Sequence, residues 1–290
     1  MSEEKKHALL SASSSHKWLV CTPSARLEEQ FEDKTSEYMA EGTLAHAIAE
    51  FKARNYFTGG ITKRSYNAQM KKFEKEEFYD KEMQTHTDTY LEYLKGLALQ
   101  TPTKPFVAIE QLINYDKYVP EGFGTADFLM ISGDTLHIID FKYGKGVEVL
   151  AEDNPQMKLY ALGALEQFKM IYPISKIKMS IVQPRLDNIS EFEMPAGMLE
   201  MWGNTAVKVQ AEKAFKGEGE FVPGGHCKFC KAKGVCRTRN EKNLQTYEDA
   251  KNTAILTNTE LGQILSKIDG LAEWAKDLEN TALEQILARK

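Results

Sequence analysis

The stretch that decides the fold is GFGTADFLMISGDTLHIIDFKY, residues 122–143. Two runs rich in apolar residues, near 122–131 and 135–143, predict a pair of β-strands. Gly133 and Asp134 lie between them and suit a tight two-residue turn. The stretch is therefore predicted to form an antiparallel β-hairpin.

The register of this hairpin brings three charged side chains together. With the turn at 133–134, Asp127 is predicted to lie opposite Asp140, with Cβ atoms about 4.5–5.5 Å apart. Lys142 follows Asp140 by two residues, so it points to the same face. Two opposed carboxylates repel each other unless a cation lies between them, and Mg²⁺ or Mn²⁺ would resolve the conflict. A solvated sheet face is the alternative interpretation of these charges.

Elements on both sides of the hairpin complete an α/β pattern. Asn154 followed by Pro155 predicts a helix N-terminus. Hydrophobic periodicity predicts further strands near 105–115 and 176–184, and helices over 41–57, about 67–99, 154–170, 197–216 and 243–290. The order helix, three strands, helix, strand indicates an α/β domain with a mixed sheet.

Other polar residues are candidates for the same site. His46 and Glu50 share one face of the 41–57 helix, and an imidazole there could be a further metal ligand. Gln156 and Tyr160 share a face of the helix after Pro155 and could contact substrate or Lys142. The alternative for His46 is a histidine on the helix surface. An ordinary amphipathic helix explains Gln156 and Tyr160 nearly as well. Glu110 is a possible extra carboxylate, but its expected role is a solvated one.

The four cysteines form the second candidate site. Cys227, Cys230 and Cys236 are spaced C-x2-C-x5-C, and Cys21 lies far upstream. In a chain without an export signal, four clustered thiols suit a metal better than disulfides. A [4Fe–4S] cluster and Zn²⁺ both accept four thiolates; three close ligands with a remote fourth favour the cluster. His226 or His16 could substitute in a zinc site.

The segment around these cysteines is basic, although the chain as a whole is acidic. Residues 226–242 hold six basic side chains against Glu241, whereas the chain has 37 basic and 42 acidic residues, a net charge of −5. The segment could contact DNA phosphates, or it could be a solvated loop.

The composition is that of an ordinary globular protein. Its 290 residues are 42% hydrophobic and 27% charged, with a mean hydropathy of −0.45. No apolar run is long enough for a transmembrane helix, and residues 1–15 lack the apolar core of a secretory signal, so a cytoplasmic location is expected. Phosphate-loop, dinucleotide-binding and G-x-S-x-G patterns are missing from the sequence.

Together these motifs resemble the PD-(D/E)XK nuclease superfamily, specifically its RecB-like branch with an iron–sulfur clasp, which includes CRISPR adaptation exonucleases and AddB-type recombination nucleases. The resemblance spans about residues 10–240. Some stretches are also similar to a bacteriophage-encoded family. The matching segments are GTLAHAIAE, GFGTAD, IIDFKYG, NPQMKLYALG and the four cysteines. An aspartate stands at the third-strand position where the superfamily more usually has a glutamate.

The resemblance implies a restriction-endonuclease-like αβββαβ core with added helices. It implies a Mg²⁺ or Mn²⁺ site with these ligands: His46, Asp127, Asp140 and the Phe141 carbonyl. Lys142 would assist the attacking water, and Gln156 and Tyr160 would orient substrate or lysine. The cluster ligands would be Cys21, Cys227, Cys230 and Cys236.

The function expected from this reading is that of a metal-dependent deoxyribonuclease, an exonuclease in phage or prophage DNA recombination, repair or replication. DNA with a free end would be its substrate, and a recombinase, annealing protein or helicase its partner, in a bacterial host cell. Residues 1–240 would form the nuclease domain, closed by the cysteines, and 241–290 a helical extension. The competing hypotheses are a non-catalytic DNA-binding or recombination-accessory module with a structural Cys₄ site, and an RNA nuclease.

Overall fold

The computed structural model describes residues 8–32, 37–250 and 258–288. The β-strands in these ranges are β1 (Phe106–Asn114), β2 (Phe123–Ser132), β3 (Thr135–Phe141), β4 (Lys176–Gln183) and β5 (Asn188–Pro195). The α-helices are α1 (Ser15–Trp18), α2 (Ser24–Glu28), α3 (Glu37–Phe57), α4 (Lys63–Phe73), α5 (Glu82–Leu99), α6 (Pro155–Phe168), α7 (Ala196–Trp202), α8 (Lys208–Lys216), α9 (Arg237–Ala250) and α10 (Asn258–Leu287).

The five strands form one mixed sheet in the order β1-β2-β3-β4-β5. Only the β3–β4 pair among them is parallel, and α6 makes the crossover that a parallel pair requires. The predicted α/β class with a mixed sheet is therefore confirmed. The sequence did not predict β5, whose residues alternate between half-exposed and exposed along its length.

The hairpin register is as predicted. Ser132 pairs with Thr135, and Phe128 pairs with Ile139. The start of α6 is confirmed as well, because the Asn154 side chain accepts hydrogen bonds from the N–H groups of residues 156 and 157, with proline in the first turn. The turn before β3 and the N-terminal cap of α6 are thus both set by residues close together in the sequence.

Two predicted helices are divided. The single helix expected over 67–99 is instead α4 and α5, because the Asp80 carboxylate accepts the Glu82 N–H at 2.8 Å and starts a new helix there. The helix expected over 197–216 contains a π-helical segment, Gly203–Val207, between α7 and α8. Within the expected C-terminal helix, 251–257 lies outside the described residues.

One face of the sheet carries a core shared with α3 and α5, and α6 covers the other face. Buried side chains of this core include Ile48, Tyr90, Phe128, Ile139 and Phe141. On the α6 side the packing is closest at Gly163, where a Cβ would collide with Ile113. The central strands of the sheet therefore lie between two helical layers.

Contacts divide the chain into two compact units. One consists of 1–15 and 33–209 and contains the sheet; the other consists of 16–32 and 210–290 and contains the cysteines. The domain boundary expected near 240 stays a prediction. None of the helices in the described ranges combines the length and apolarity needed to cross a lipid bilayer.

A buried histidine on β3 gives the sheet unit an expected acid sensitivity. Burial lowers the pKa of His137 from 6.5 to about 3, and its Nε2 lies 2.6 Å from Ser180 Oγ. Below pH 6.5 the unfolded chain binds a proton that the folded chain does not. The free energy of unfolding therefore decreases as the pH is lowered. The expected loss is about 1.4 kcal/mol per pH unit down to about pH 3. Urea unfolding at pH 7 and pH 5 should show a steeper decline in wild type than in His137→Gln; equal slopes would contradict this.

Candidate functional site

Asp127 of β2 and His46 of α3 meet at the edge of the buried core. The Asp127 Oδ1 lies 3.5 Å from His46 Nδ1. Its Oδ2 accepts the backbone N–H of Phe141 at 2.7 Å, just beyond the last paired residues of the hairpin. The Phe141 ring packs on the imidazole with centroids 5.2 Å apart. The hairpin and α3 therefore hold this acid and imidazole together.

Glu110 joins them through an unusual backbone conformation. It has a φ of 49°, although it lies within β1. Residues four apart on a regular strand share a face. Here Ile109 packs in the core with α3, whereas Ile113 packs against Gly163 of α6. The left-handed residue thus reverses the alternation of the strand and stores strain of about 1–3 kcal/mol.

His46, Glu110 and Asp127 form a candidate metal site. One potential ligand atom from each lies within 4.8 Å of the others. The cavity that these residues line holds about 10 Å³, which is room for one ion or water molecule. One imidazole and two carboxylates form a donor set that Mg²⁺ or Mn²⁺ accepts.

Arg54 supports the strained residue from α3. Its guanidinium donates to the Ile109 carbonyl at 2.9 Å, directly before Glu110. Its Nε lies 2.6 Å from the Glu50 carboxylate, one helical turn away. Glu50 therefore lines the site mainly as the partner of Arg54.

Asp140 and Lys142 lie beside this group and are linked by Gln156. The Lys142 ammonium is 3.1 Å from Asp140 Oδ2 and donates to Gln156 Oε1 at 3.1 Å. The Gln156 amide in turn donates to Asp140 Oδ1 at 3.1 Å. Tyr160 is buried one turn further along α6. Its ring packs so closely on Gly124 that a Cβ at that position would collide with it. The predicted contact between Gln156 and Lys142 is thus present.

Neighbouring charges set the protonation of the acid–imidazole pair. Burial acts to lower the pKa of His46, but the Asp127 and Asp140 carboxylates outweigh it and raise the pKa from 6.5 to about 9. Burial acts to raise the pKa of Asp127, but His46 and the Phe141 N–H outweigh it and lower that pKa. Without a metal ion the pair is therefore an imidazolium beside a carboxylate.

Burial and neighbouring charges also shift the pKa values of Asp140, Lys142 and Glu110. Burial raises the pKa of Asp140, an effect that Lys142 opposes and Asp127 reinforces. Burial acts to lower the pKa of Lys142, but the same two carboxylates raise it above its usual range. Burial, with repulsion from Asp127 and Glu50, raises the pKa of Glu110 to about 7. Lys142 therefore keeps its proton at neutral pH, and Glu110 is a carboxylate that protonates near neutral pH.

The expectation for Glu110 was wrong. The sequence predicted a solvated carboxylate, but the side chain is partly buried beside Asp127 because the left-handed backbone turns it into the site. A lone glutamate within an apolar strand was the available signal. His46 and Asp127 converge as expected, whereas Asp140 lies outside the close group of three and its role as a ligand stays a prediction. So does that of the Phe141 carbonyl.

Replacing Glu110 by glycine should separate stability from metal binding. Glycine adopts a positive φ without strain, so Glu110→Gly is expected to raise the free energy of unfolding in EDTA by about 1 kcal/mol. Losing a ligand should weaken Mn²⁺ binding by at least about 10-fold. Urea unfolding and Mn²⁺ titration would measure the two effects. Glu110→Gln is the matched control, which keeps the strain but not the charge; Mn²⁺ binding equal to wild type in both variants would contradict the assignment.

The cysteines lie in the other unit, around one cavity. Cys21 and the three cysteines of the 227–236 segment all line it, together with His226. All four thiols are free of disulfides. The predicted return of Cys21 to the C-x2-C-x5-C segment is therefore present in the structure.

The spacing of the thiols bears on which metal they suit. Zn–S bonds of about 2.3 Å place the sulfurs of a tetrahedral zinc site a little under 4 Å apart. In the part of the chain that the structure describes, no three cysteine sulfurs lie within 4.8 Å of one another. The described thiols thus share a cavity without the sulfur spacing of a zinc site, and the choice between zinc and a cluster stays a prediction.

Hydrogen bonds hold the Cys21 segment against the cysteine loop. Glu28 accepts from Lys17 Nζ at 2.7 Å and from the Lys231 N–H at 2.8 Å. Thr22 donates to the Glu218 carbonyl at 2.6 Å. These contacts place Cys21 beside the loop.

Part of the basic charge near the cysteines is neutralised. Arg239 and Lys233 both contact the buried Asp277 carboxylate of α10, at 2.7 and 2.8 Å. Arg237 is exposed, with only a 4.0 Å approach to Glu241. The local excess of positive charge is therefore smaller than the sequence of the segment indicates.

Comparison with known proteins places the chain in a family. The model of the family described as "Protein of unknown function (DUF2800)" matches residues 7–290, so the chain belongs to that family. A solved structure described as "Crystal structure of SSO0001" is 14% identical and covers 82% of this chain and 89% of that chain, with a TM-score of 0.35.

Proposed function

We propose that this DUF2800 protein is a metal-dependent deoxyribonuclease of the PD-(D/E)XK type, an exonuclease acting in phage or prophage DNA recombination, repair or replication. One observation carries the proposal. A charged lysine lies 3.1 Å from Asp140, next to a second carboxylate, Asp127, that shares an ion-sized cavity with His46 and Glu110. Neighbouring carboxylates, a fixed cation and a metal-sized cavity are features that metal-assisted phosphodiester hydrolysis uses.

The chain's own residues would position and stabilise the reacting groups. Lys142 keeps its proton at neutral pH, so it would act as a fixed positive charge toward the phosphate rather than as a base. Gln156 bonds both Lys142 and Asp140 and so restrains their orientation. Preorganised charges of this kind act where negative charge develops during reaction.

A divalent cation held by His46, Glu110 and Asp127 would supply water activation and charge screening at the phosphate. To bind this cation, His46 would have to release the proton that the neighbouring carboxylates Asp127 and Asp140 stabilise on it, and Glu110 would have to be ionised.

The cysteines would hold a [4Fe–4S] cluster, with Zn²⁺ as the alternative. Cys21, Cys227, Cys230 and Cys236 supply the four thiols that such a cluster needs. The cluster would have a structural role, because it would join the Cys21 segment to the 227–236 segment covalently through the metal. The exposed basic side chains of this segment would contact DNA.

The test is cleavage of matched linear and circular DNA, single- and double-stranded, by anaerobically purified protein. Loss of linear but not circular DNA, dependent on Mg²⁺ or Mn²⁺ and abolished by EDTA, is the result expected of an exonuclease. Cutting of circles would show endonuclease action instead. If no DNA is degraded while metal and DNA are both bound, the protein is a binding or recombination-accessory module and the nuclease proposal fails.

A further inference from the structure

A larger cleft lies close to the proposed catalytic residues in the sheet unit. It has a volume of about 420 Å³, in the range of small-molecule sites. The metal cavity, at about 10 Å³, cannot admit any part of a nucleotide. The residues that line the larger space, called the side cleft below, are Tyr38, Glu41, Gly42, Tyr143, Gly144, Lys145, Gly146 and Arg185.

The chain connects the side cleft to the site at two points. Tyr143 directly follows Lys142. Gly42 precedes His46 by one turn of α3, so the two positions share a helix face at about 5–6 Å. A strand whose phosphate lies beside His46 at the metal site would therefore have a neighbouring nucleotide at the side cleft.

Flat side chains line the side cleft. The Arg185 guanidinium lies 4.6 Å from the centroid of the Tyr143 ring. Glu41 fixes that guanidinium at 2.9 Å, and only 8% of the Arg185 side chain is exposed. Tyr38, in contrast, is 80% exposed. Aromatic rings and guanidinium planes are the surfaces on which unpaired bases stack.

The charges divide the side cleft into two parts. Lys145 is exposed between Gly144 and Gly146, around which the space is open, so a phosphate can approach it. Near Tyr143, Arg185 acts to lower the tyrosine pKa, but burial together with Glu41, Asp80 and Glu82 raises it to about 12. Of these carboxylates, Glu41 lines the cleft; it disfavours a phosphate there and can accept a hydrogen bond from a base amino group.

We propose that the side cleft binds one unpaired nucleotide of the substrate, next to the phosphate that is cleaved. Its base stacks on the exposed Tyr38 ring, beside the buried Arg185–Tyr143 pair, and its phosphate contacts Lys145. The inference rests on the proposed nuclease function and narrows the substrate to DNA with a single-stranded segment. A base inside a double helix is already stacked on both faces and cannot occupy the cleft without leaving the helix.

Binding measured without catalysis tests the proposal. Fluorescence anisotropy would follow a labelled short single strand and a blunt duplex of the same sequence, in EDTA. Tyr38→Ala is expected to weaken single-strand binding by about 10-fold and to leave duplex binding unchanged. Tyr56→Ala removes another exposed tyrosine of α3 outside the side cleft and should change neither.

The salt dependence separates the two parts of the side cleft. Lys145→Ala should reduce the slope of log affinity against log salt by about 0.7, and Tyr38→Ala should not change it. If both variants bind the single strand as tightly as wild type does, the proposed role of the side cleft is wrong. If the protein nevertheless cleaves DNA, the nuclease proposal still holds. Weakened binding by Tyr38→Ala in a protein that cuts no DNA would support the side cleft and overturn the nuclease.

Discussion

Replacing Lys142 by methionine is expected to lower the rate of DNA cleavage by about 10²–10³-fold, as the loss of one preorganised charge does elsewhere. The ammonium is held 3.1 Å from Asp140 Oδ2 and is charged at neutral pH. Methionine keeps most of the side-chain volume but not the charge. Metal binding should persist, because a cation beside the site repels a metal ion and does not ligate it. Cleavage rates and Mn²⁺ titration would measure the two effects.

Lys176→Met is the matched control, since Lys176 is an exposed lysine at the start of the neighbouring strand β4. It should cleave DNA as wild type does. If Lys142→Met also cleaves normally, Lys142 has no role in the chemistry. If it loses Mn²⁺ binding and its near-UV circular dichroism together, Lys142 maintains the fold, and the assignment of a chemical role is wrong.

Replacing Cys230 by serine is expected to remove nearly all cluster iron and to lower the free energy of unfolding by several kcal/mol. Partial burial raises the pKa of the Cys230 thiol to about 12, so without metal this half-buried residue is a neutral thiol rather than a thiolate. A bound cluster would keep it deprotonated and would tie the Cys21 segment to the 227–236 segment. Iron and sulfide analysis of anaerobically purified protein, followed by urea unfolding, would measure the losses.

Ser24→Ala is the control for this second prediction, because Ser24 lines the same cavity but offers no thiol. It should retain wild-type iron. If wild type contains zinc and Cys230→Ser does not, the four cysteines form a Cys₄ zinc site and the assignment of a cluster is wrong. A wild-type protein that contains neither metal after anaerobic purification would contradict both assignments.

Sequence patterns were sufficient where the determining interactions are short-range. The hairpin register follows from Gly133 and Asp134, and the start of α6 follows from Asn154 and Pro155. Both depend on residues within a few positions of each other. The break between α4 and α5 was missed even though it is local, because Asp80 acts as a cap within a stretch whose charged composition favours a continuous helix.

The site was predictable only in part. Asp127, Asp140 and Lys142 belong to one hairpin, so alternation along two paired strands relates them. Glu110 was misjudged because its orientation depends on a left-handed residue within β1, supported by Arg54 from α3. A strained conformation of that kind arises from packing against another element, and no periodic pattern in β1 indicates it.

The sequence by itself determined the α/β class, the hairpin that carries the two aspartates and the lysine, and the spacing of the three clustered cysteines. Only the tertiary structure decided that Glu110 completes a group with His46 and Asp127, and that Asp277 neutralises two cations near the cysteines. The physical reason is distance along the chain. Local rules act through fixed backbone geometry, whereas convergence of remote side chains depends on how helices pack and on the burial and charge that the packing produces.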